Sequence, residues 1–300
     1  MIYIILQGRL GNNLWQIAAA ATLAKEIKTD FCAYADPNYY CAEPDSCSLP
    51  EYIEPFRTTI FRKVKFTDKL PENGVVIEEC VLRNQVFDKD VDYILKGFFA
   101  MQYDNSIVSE LFEIDIDTKK YILDKYPEIS IGNTCAIVVR RGDYLQHIEE
   151  YTICTSYYKR AINVMGKKHK ISSYICISDD VEWCRKYFLG CNNITFVDNE
   201  PPLIDLYITS LCKHHIISNS SFAIWGVELS NNIDKMVIIP KPWFGYSRRG
   251  EAEDSMQRGL PSSWMRVRNM SYYYVGGMIK YYKRKVVRFI RNFEIGFKIR

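Results

Sequence analysis

The alternation of apolar and helix-like segments between residues 135 and 239 restricts this 300-residue chain to a small set of folds. Short, continuously apolar runs alternate there with segments whose apolar residues recur at helical spacing. The predicted strands are Cys135–Val139, Tyr174–Ile177, Ile194–Val197, His215–Ile217 and Met236–Ile239, and the predicted helices are Ser156–Met165, Val181–Phe188, Leu203–Cys212 and Phe222–Leu229. Apolar strands that alternate with helices are typical of βαβ units, in which helices cover both faces of a parallel sheet. We therefore expect an α/β fold.

The amino-terminal half begins in the same style and then becomes less regular. A strand at Ile2–Leu6 is followed by the turn Gly8–Asn13 and an alanine-rich helix that ends near Ile27. The remaining predictions are a strand at Phe31–Tyr34, a loop over Pro37–Pro55, strands at Val75–Glu78 and Tyr93–Phe98, and a helix at Asp117–Leu123. A chain of this length can build two cores. We predict an α/β domain at 1–130, a Rossmann-like domain at 131–265 and a basic amphipathic tail at 266–300.

Charge and cysteine usage argue against several classes of protein. The formal net charge is only +3, which is too small to indicate a nucleic-acid partner. The ten cysteines form no CxxC pair and no Cys/His cluster with zinc spacing, which favours a reducing compartment. No run reaches the roughly 18 apolar residues that a membrane span requires. We expect a cytoplasmic protein that binds no nucleic acid.

Positive charge is concentrated in the segment from Lys280 to Arg300, where eight Lys and Arg residues face one acid, Glu294. Apolar residues are interleaved with the basic ones. A basic amphipathic helix of this kind can lie on an anionic membrane surface. It can equally pack across the domains with its basic face in solvent. Peripheral contact with the inner face of a membrane is therefore one of two open alternatives.

The segment Arg140–Asp143 directly follows the apolar strand Cys135–Val139. Ligands of open α/β sheets bind beyond the carboxyl ends of strands, and the guanidinium fork matches phosphate oxygens. Adjacent residues of an extended chain point in opposite directions. We therefore expect one arginine to face a ligand and the other to pair internally, with Asp143 as one candidate partner. A surface arginine pair bonded to carboxylates is the alternative.

A second polar segment, Ser218–Gly226, also joins a strand to a helix. Free backbone N–H groups and small hydroxyls at a helix N-terminus form a natural phosphate site. Plain helix capping is the commoner use of Asn and Ser at such a position. The candidate nucleotide contacts in this segment are Asn219, Ser220, Ser221 and Phe222.

Two further strand-to-helix connections carry polar residues. Gly8–Asn13 can let a ligand approach the backbone, although it matches neither GxGxxG nor a P-loop. In Ser178–Asp180, acids in the first helical turn favour the helix dipole, which is the structural alternative to a ligand contact. No acidic pair with a metal-binding context is evident, so we predict a reaction without a metal ion. The candidate ligand contacts in these two connections are Arg9, Asn12, Ser178 and Asp179.

Taken together and in order, these segments resemble glycosyltransferase family 11, the α-1,2-fucosyltransferases. The resemblance covers roughly residues 1 to 265, and its five motifs are specific only in combination. The matching stretches are Gly8–Gln16, Val138–Tyr144, Ser178–Trp183, Asn219–Gly226 and Pro240–Phe244. Three positions depart from the family pattern: Val138 replaces a histidine, Arg9 a glycine and Asn13 a glutamine.

The resemblance implies a GT-B-like fold with two Rossmann-like domains that face a cleft. It also implies GDP-β-L-fucose as donor, a terminal β-galactoside as acceptor, inversion to an α-1,2 linkage, and no cofactor. Arg140 would offset the charge on the departing β-phosphate, and Arg141 would belong to the nucleotide-binding set. Asp143 would either take part in catalysis or only orient Arg141.

Three alternatives remain open on the sequence. A transferase that uses a GDP-sugar with another linkage or acceptor would share the same motifs. A non-catalytic glycan-binding protein would keep the binding clefts. The interpretation as a membrane-peripheral scaffold depends on the basic tail alone. The acceptor is expected to be chosen by loops such as residues 36–60, which carry no readable code.

Overall fold

A computed structural model of the chain describes residues 1–41, 46–79, 82, 85–151, 153–248, 250–269, 279 and 286. The chain divides into two compact units. The first contains residues 1–132, 199–213 and 220–234, and the second contains residues 133–198, 214–219 and the chain from 235 onward. Each unit holds one parallel sheet.

Strands and helices alternate along most of the described chain. The strands are β1 (Ile2–Ile5), β2 (Phe31–Tyr34), β3 (Phe66–Thr67), β4 (Val75–Glu78), β5 (Tyr93–Lys96), β6 (Thr134–Val139), β7 (Ser173–Ser178), β8 (Ile194–Phe196), β9 (His214–Ile217), β10 (Val237–Lys241) and β11 (Met265–Arg268). The helices are α1 (Leu10–Ile27), α2 (Leu49–Arg57), α3 (Asn105–Leu111), α4 (Ile116–Lys125), α5 (Glu128–Ile131), α6 (Ile148–Tyr151), α7 (Ser156–Lys168), α8 (Val181–Tyr187), α9 (Pro202–Leu211), α10 (Ser221–Glu228) and α11 (Glu251–Gly259).

Both sheets are entirely parallel within the described residues. The first has the order β3-β2-β1-β5-β4 and the second the order β11-β10-β9-β6-β7-β8. Numbered from β6 as its first strand, the second sheet has the order 3-2-1-4-5-6 of a dinucleotide-binding Rossmann domain. The strand order reverses between β6 and β9, which therefore form the topological switch point of this sheet.

The core of the second unit explains why its central strand β6 is almost entirely apolar. Every residue of β6 is buried, because a parallel sheet presents no face to solvent. Ile137 and Ile216 contribute to an apolar cluster that includes Tyr157 and Met165 of α7. The strands and helices predicted between residues 135 and 239 are confirmed, with ends that shift by one to three residues.

The predicted loop over Pro37–Pro55 is wrong in its last part, because α2 begins at Leu49. Ser48 and Glu51 form a reciprocal capping box at the start of this helix, and Pro50 lies in its first turn, where proline is tolerated. Leu49, Ile53 and Phe56 are buried, as expected for one face of an amphipathic helix. The Ser-x-x-Glu pattern in the sequence indicates a helix start, whereas the high content of proline and polar residues around it favours a loop.

The two units differ from the predicted boundaries at 130 and 265 in two places. Helices α9 and α10 belong to the first unit, although they lie within the segment 131–265. Strand β11 extends the second sheet to Arg268, three residues into the predicted tail. Apart from Val286, the basic segment from Lys280 onward lies outside the described residues. Within the part of the chain that the structure describes, no helix is both long and apolar enough to cross a membrane.

A buried carboxylate ties α9 to α4 within the first unit. The side chain of Glu200, which is only 2% exposed, pairs with the Lys125 ammonium at 2.6 Å. It also accepts hydrogen bonds from the hydroxyls of Tyr121 and Tyr126. Asp205 follows in the first turn of α9, where burial and, secondarily, the charge of Glu200 raise the pKa of its carboxyl to about 8.

Replacing Asp205 with asparagine should stabilise the protein in a pH-dependent way. The pKa of an aspartate in an unfolded chain is near 4. The carboxyl of Asp205 therefore holds its proton more tightly in the folded state than in the unfolded state. As a result, the stability of the protein falls as the pH rises from about 4 to about 8. Asp205→Asn should therefore raise stability by about 2 kcal/mol at pH 8 and by nothing near pH 4. Thermal unfolding across this range measures the difference.

A matched control is Asp117→Asn, which removes an exposed first-turn acid from α4. This variant tests whether any gain in stability comes only from the loss of a negative charge at the surface. If Asp205→Asn shows the same small, pH-independent effect as this control, the carboxyl of Asp205 titrates normally and the assignment fails.

Candidate active site at the carboxyl edge of the second sheet

The candidate active site begins where β6 and β9 end side by side. Val138 pairs with Ile217 in register, and the Ser218 amide donates to the Val138 carbonyl at 3.1 Å. Ligands of Rossmann-like sheets bind outside the carboxyl ends of strands at such a switch point. The segments that the sequence singled out after these strands, Arg140–Asp143 and Ser218–Asn219, are thus brought to one edge of the sheet.

Arg140 has a carboxylate on each side of its guanidinium. Its Nη2 lies 2.6 Å from Oδ1 of Asp143, and its Nη1 lies 2.9 Å from Oδ2 of Asp179. The ring of Tyr144 lies 5.5 Å from the guanidinium carbon. Burial alone would lower the pKa of Arg140, but the charges of Asp179 and Asp143 outweigh it and raise the pKa above its ordinary value. Arg140 is therefore a fixed positive charge at the switch point.

Arg141 is also paired with a carboxylate. Its Nε donates to Oδ2 of Asp180 at 2.9 Å, and its guanidinium lies 3.9 Å from the ring centre of Trp183. Asp180 also caps α8 by accepting the Trp183 amide at 3.1 Å. Both arginines therefore pair with carboxylates, which is the alternative that the sequence left open, and the expectation that one of them faces a ligand stays a prediction. The expectation that Asp143 orients Arg141 is wrong, because Asp143 pairs with Arg140.

Asp179 connects the ends of β6 and β7. Its Oδ1 accepts the backbone N–H of Arg141 at 2.8 Å while its Oδ2 binds Arg140. A Cβ on Gly142 would lie 2.7 Å from that Oδ2, so only glycine lets the chain approach the carboxylate this closely. Ser178, also a predicted nucleotide contact, accepts the Asp180 amide at 3.0 Å with its hydroxyl and thereby supports the turn.

Asn219 holds three loops together at this edge. Its Nδ2 donates to the carbonyls of Tyr151 at 3.0 Å and Trp243 at 2.9 Å. The backbone carbonyl of Asn219 accepts a hydrogen bond from the Tyr144 hydroxyl at 3.0 Å. Because its side chain is buried and both bonds go to backbone, Asn219 positions the loops around Arg140. Its predicted role as a nucleotide contact stays a prediction.

An aromatic column that the sequence did not reveal extends from Arg140 along this edge. Tyr144 stacks on Tyr151, with ring centres 4.8 Å apart. Arg248 lies over the ring of Tyr151 at 5.2 Å and over that of Phe244 at 4.6 Å. Tyr144 and Tyr151 come from one short segment and Phe244 from a distant one, so only the tertiary fold shows that all three rings meet. In the sequence, only the aromatic content of the segment that includes Phe244 indicates a gathering of rings here.

The remaining predicted residues lie in the first unit, where α1 and α10 begin close together. A Cβ on Gly11 would lie 2.5 Å from the Phe222 nitrogen and 2.7 Å from the Ser221 hydroxyl oxygen. Segments more than 200 residues apart in sequence thus meet at two helix N-termini. Ser220 is the N-cap residue of α10 and Arg9 that of α1. The chain passes from the second unit to the first directly after Asn219.

The turn before α1 is supported by tyrosine hydroxyls. The Tyr39 hydroxyl accepts a hydrogen bond from the backbone N–H of Gly8, and the Tyr52 hydroxyl accepts one from that of Leu10, each at 3.1 Å. Asn12 folds back over Gly8, whose φ of +72° requires a residue without a Cβ. Both tyrosines belong to the segment 36–60 that is predicted to choose the acceptor, so the structure connects this segment to the Gly8 turn.

The arrangement can stabilise a polyanion but offers no evident strong base. A guanidinium at the switch point can bind phosphate oxygens as negative charge develops on a leaving group. Val138, which stands where the resembling family has histidine, is buried within β6, and its side chain carries no polar atom. Among the residues that the structure describes, no three His, Cys, Asp or Glu side chains are arranged to hold a metal ion.

Comparisons with known proteins agree on the class of fold and enzyme. The model of glycosyl transferase family 11 matches residues 48–262. An alpha-1,2-colitosyltransferase of Escherichia coli is 24% identical over 303 residues, covering 87% of this chain and 97% of that protein. The O-antigen biosynthesis glycosyltransferase WbnK of Escherichia coli is 24% identical over 293 residues, covering 83% and 97% respectively.

The solved structure of fucosyltransferase NodZ from Bradyrhizobium has a TM-score of 0.52 to this chain. The match covers 75% of this chain and 91% of the NodZ chain, at 12% sequence identity. At this identity the likeness shows the fold alone. Together with the two parallel sheets, it confirms the predicted α/β architecture of GT-B type with two Rossmann-like units.

Proposed function

Because this chain belongs to glycosyl transferase family 11, we propose that it transfers L-fucose from GDP-β-L-fucose to the 2-hydroxyl of a terminal β-galactoside. The observation that carries the proposal is the position of Arg140. This half-buried guanidinium lies at the switch point of a Rossmann-type sheet, where nucleotide diphosphates bind in this class of fold. This position supports a contact between Arg140 and the diphosphate of a nucleotide-sugar.

The proposed reaction is a single displacement that inverts the anomeric centre. The acceptor 2-hydroxyl oxygen bonds to C1 of fucose as the bond from C1 to the β-phosphate oxygen breaks. The bonding electron pair leaves with GDP, and the hydroxyl proton passes to a basic group or to solvent. Attack opposite the leaving group converts the β-linked donor into an α-1,2-linked product.

Arg140 would stabilise the negative charge that develops on the departing diphosphate. Ser220 and Ser221, predicted to assist with backbone N–H groups and hydroxyls, remain proposed contacts. The contact of Asp143 with Arg140 supports a role as counter-ion, and its role as proton acceptor stays a prediction. A reaction without metal or cofactor and a cytoplasmic location are likewise proposals that rest on the sequence.

A second donor is favoured by one of the relatives, whose name is alpha-1,2-colitosyltransferase. Colitose is fucose without its 3-hydroxyl group, so a site that tolerates either sugar needs no change at the diphosphate. GDP-colitose is therefore the main alternative to GDP-fucose as donor. A site that hydrogen-bonds the 3-hydroxyl would reject colitose strongly, since its buried polar partner would be left unpaired.

A donor and acceptor panel tests the proposed function. The purified full chain is incubated with GDP-fucose, GDP-colitose or GDP-mannose, with and without β-galactoside oligosaccharides, in the presence and absence of a chelator. We expect GDP release that depends on the acceptor, is fastest with GDP-fucose and survives chelation. The linkage of the product is then assigned by NMR.

The panel separates the proposal from its alternatives. Turnover only with GDP-colitose would correct the donor but keep the enzyme class. A product with another linkage would correct the acceptor position. Absence of both turnover and GDP binding, with retained glycan binding, would contradict the proposal in favour of a non-catalytic glycan-binding protein.

A further inference from the structure

Arg140 is already neutralised by protein carboxylates, which conflicts with a simple role as an open phosphate clamp. Asp143 and Asp179 occupy its two terminal nitrogens. With the Arg141–Asp180 pair included, two guanidinium groups face three carboxylates, so this ion-pair network has one negative charge in excess. A diphosphate that approaches Arg140 would meet net repulsion unless one carboxylate moves away.

Asp179 is held firmly in its place. Its two oxygens are divided between the Arg140 guanidinium and the Arg141 backbone N–H. The chain at Gly142 lies against its carboxylate, and its side chain is 22% exposed. Displacing Asp179 would break two charge-assisted hydrogen bonds and leave the Arg141 amide without an acceptor.

Asp143 is held much less firmly. Its carboxylate is 38% exposed, and within the described residues its one ion pair is with Arg140. It lies on a short 3-10 turn three residues after Arg140, so a side-chain rotation is enough to withdraw it. The pair is only partly buried and Asp143 makes this single ion pair, so its withdrawal costs less than that of Asp179, which would break two charge-assisted hydrogen bonds.

We infer that Asp143 is a displaceable counter-ion of Arg140, which the donor diphosphate replaces, whereas Asp179 is the positioning residue that keeps the guanidinium at the switch point. In the free protein Asp143 fills the side of the guanidinium that a phosphate oxygen takes in the complex. The exchange removes one negative charge from the network as the anion enters. This inference rests on the proposed function, since it requires a phosphorylated donor.

The two carboxylates on one guanidinium therefore have opposite effects on binding. Asp143→Asn removes the charge that competes with the phosphate, so GDP should bind about threefold to tenfold more tightly than to the unchanged protein. Asp179→Asn removes the anchor of Arg140, so GDP should bind about tenfold more weakly. Asp143→Glu keeps the competing charge and should not gain affinity.

Isothermal titration of the full chain with GDP and with inorganic pyrophosphate measures these affinities. Pyrophosphate tests the phosphate contacts without the base. The control is Asp198→Asn, which removes a carboxylate from the separate, more exposed ion pair with Arg185 and should leave both affinities unchanged. Asp143→Ser provides a second neutral variant in case the asparagine variant does not fold. A lower KM for the donor in Asp143→Asn is the matching kinetic result.

Each outcome decides the inference. Tighter binding by the neutral Asp143 variants together with weaker binding by Asp179→Asn supports it. Unchanged or weaker binding by those Asp143 variants, in a chain that does bind GDP, overturns it and leaves the proposed function intact. If the unchanged protein binds neither GDP nor pyrophosphate, both the proposed function and the inference are overturned.

Discussion

Replacing Arg140 with alanine should reduce the rate of sugar transfer by about a hundredfold or more. The guanidinium is the positive charge at the switch point, and removal of a preorganised group that stabilises a leaving charge costs about 3 kcal/mol. The loss should fall mainly on kcat, because this contact strengthens as the β-phosphate departs. Steady-state kinetics with GDP-fucose and a β-galactoside acceptor measure the loss.

Two further variants show whether charge or geometry is responsible. Arg140→Lys keeps the positive charge but loses the planar fork that pairs with Asp179 and phosphate together, so it should recover only part of the rate. Arg185→Ala, which removes an arginine from a separate and more exposed ion pair, is the control for general loss of a salt bridge. A folded Arg140→Ala protein with near-normal turnover would show that the charge is compensated elsewhere.

Replacing Gly11 with alanine should destabilise the first unit by about 3 kcal/mol. The added Cβ would lie 2.5 Å from the backbone nitrogen of Phe222, and no side-chain rotation can relieve a contact with backbone. The start of α10 must therefore move away from α1, which also shifts Ser221. Chemical unfolding measures the loss of stability, and donor affinity reports whether the shifted helix start matters for binding.

Gly166→Ala is the matched control, because Gly166 also lies in a helix and its nearest neighbour, the Tyr174 hydroxyl, is 3.9 Å from the added Cβ. There the substitution should stabilise by up to about 1 kcal/mol, since alanine is the better helix former. If Gly11→Ala is as stable as the unchanged protein, the two helix starts are less closely packed than the structure indicates.

Local sequence patterns predicted most of the elements because their causes are local. The central strand β6 of the second sheet is almost entirely apolar because both faces of the sheet are covered, and this appears directly in the run Cys135–Val139. Helix α2 differs from the predicted loop although its capping box is local, because prolines in a polar segment favour a loop. Its buried face depends on the partners of Ile53 and Phe56, which the sequence does not show.

The sequence by itself established the parallel α/β class, the strand-to-helix connections that carry polar residues, and the likeness to a fucosyltransferase family. These follow from hydrophobic period and from motifs only a few residues long. Only the tertiary structure showed that Asp143 and Asp179 share Arg140, that Asp180 and Trp183 hold Arg141, and that Asn219 bonds to neighbouring loops. The physical reason is that the partner of a charge is chosen by distance in space. Asp143 and Asp179 lie 36 positions apart in the sequence. Strand pairing brings them to one sheet edge, which no local pattern records.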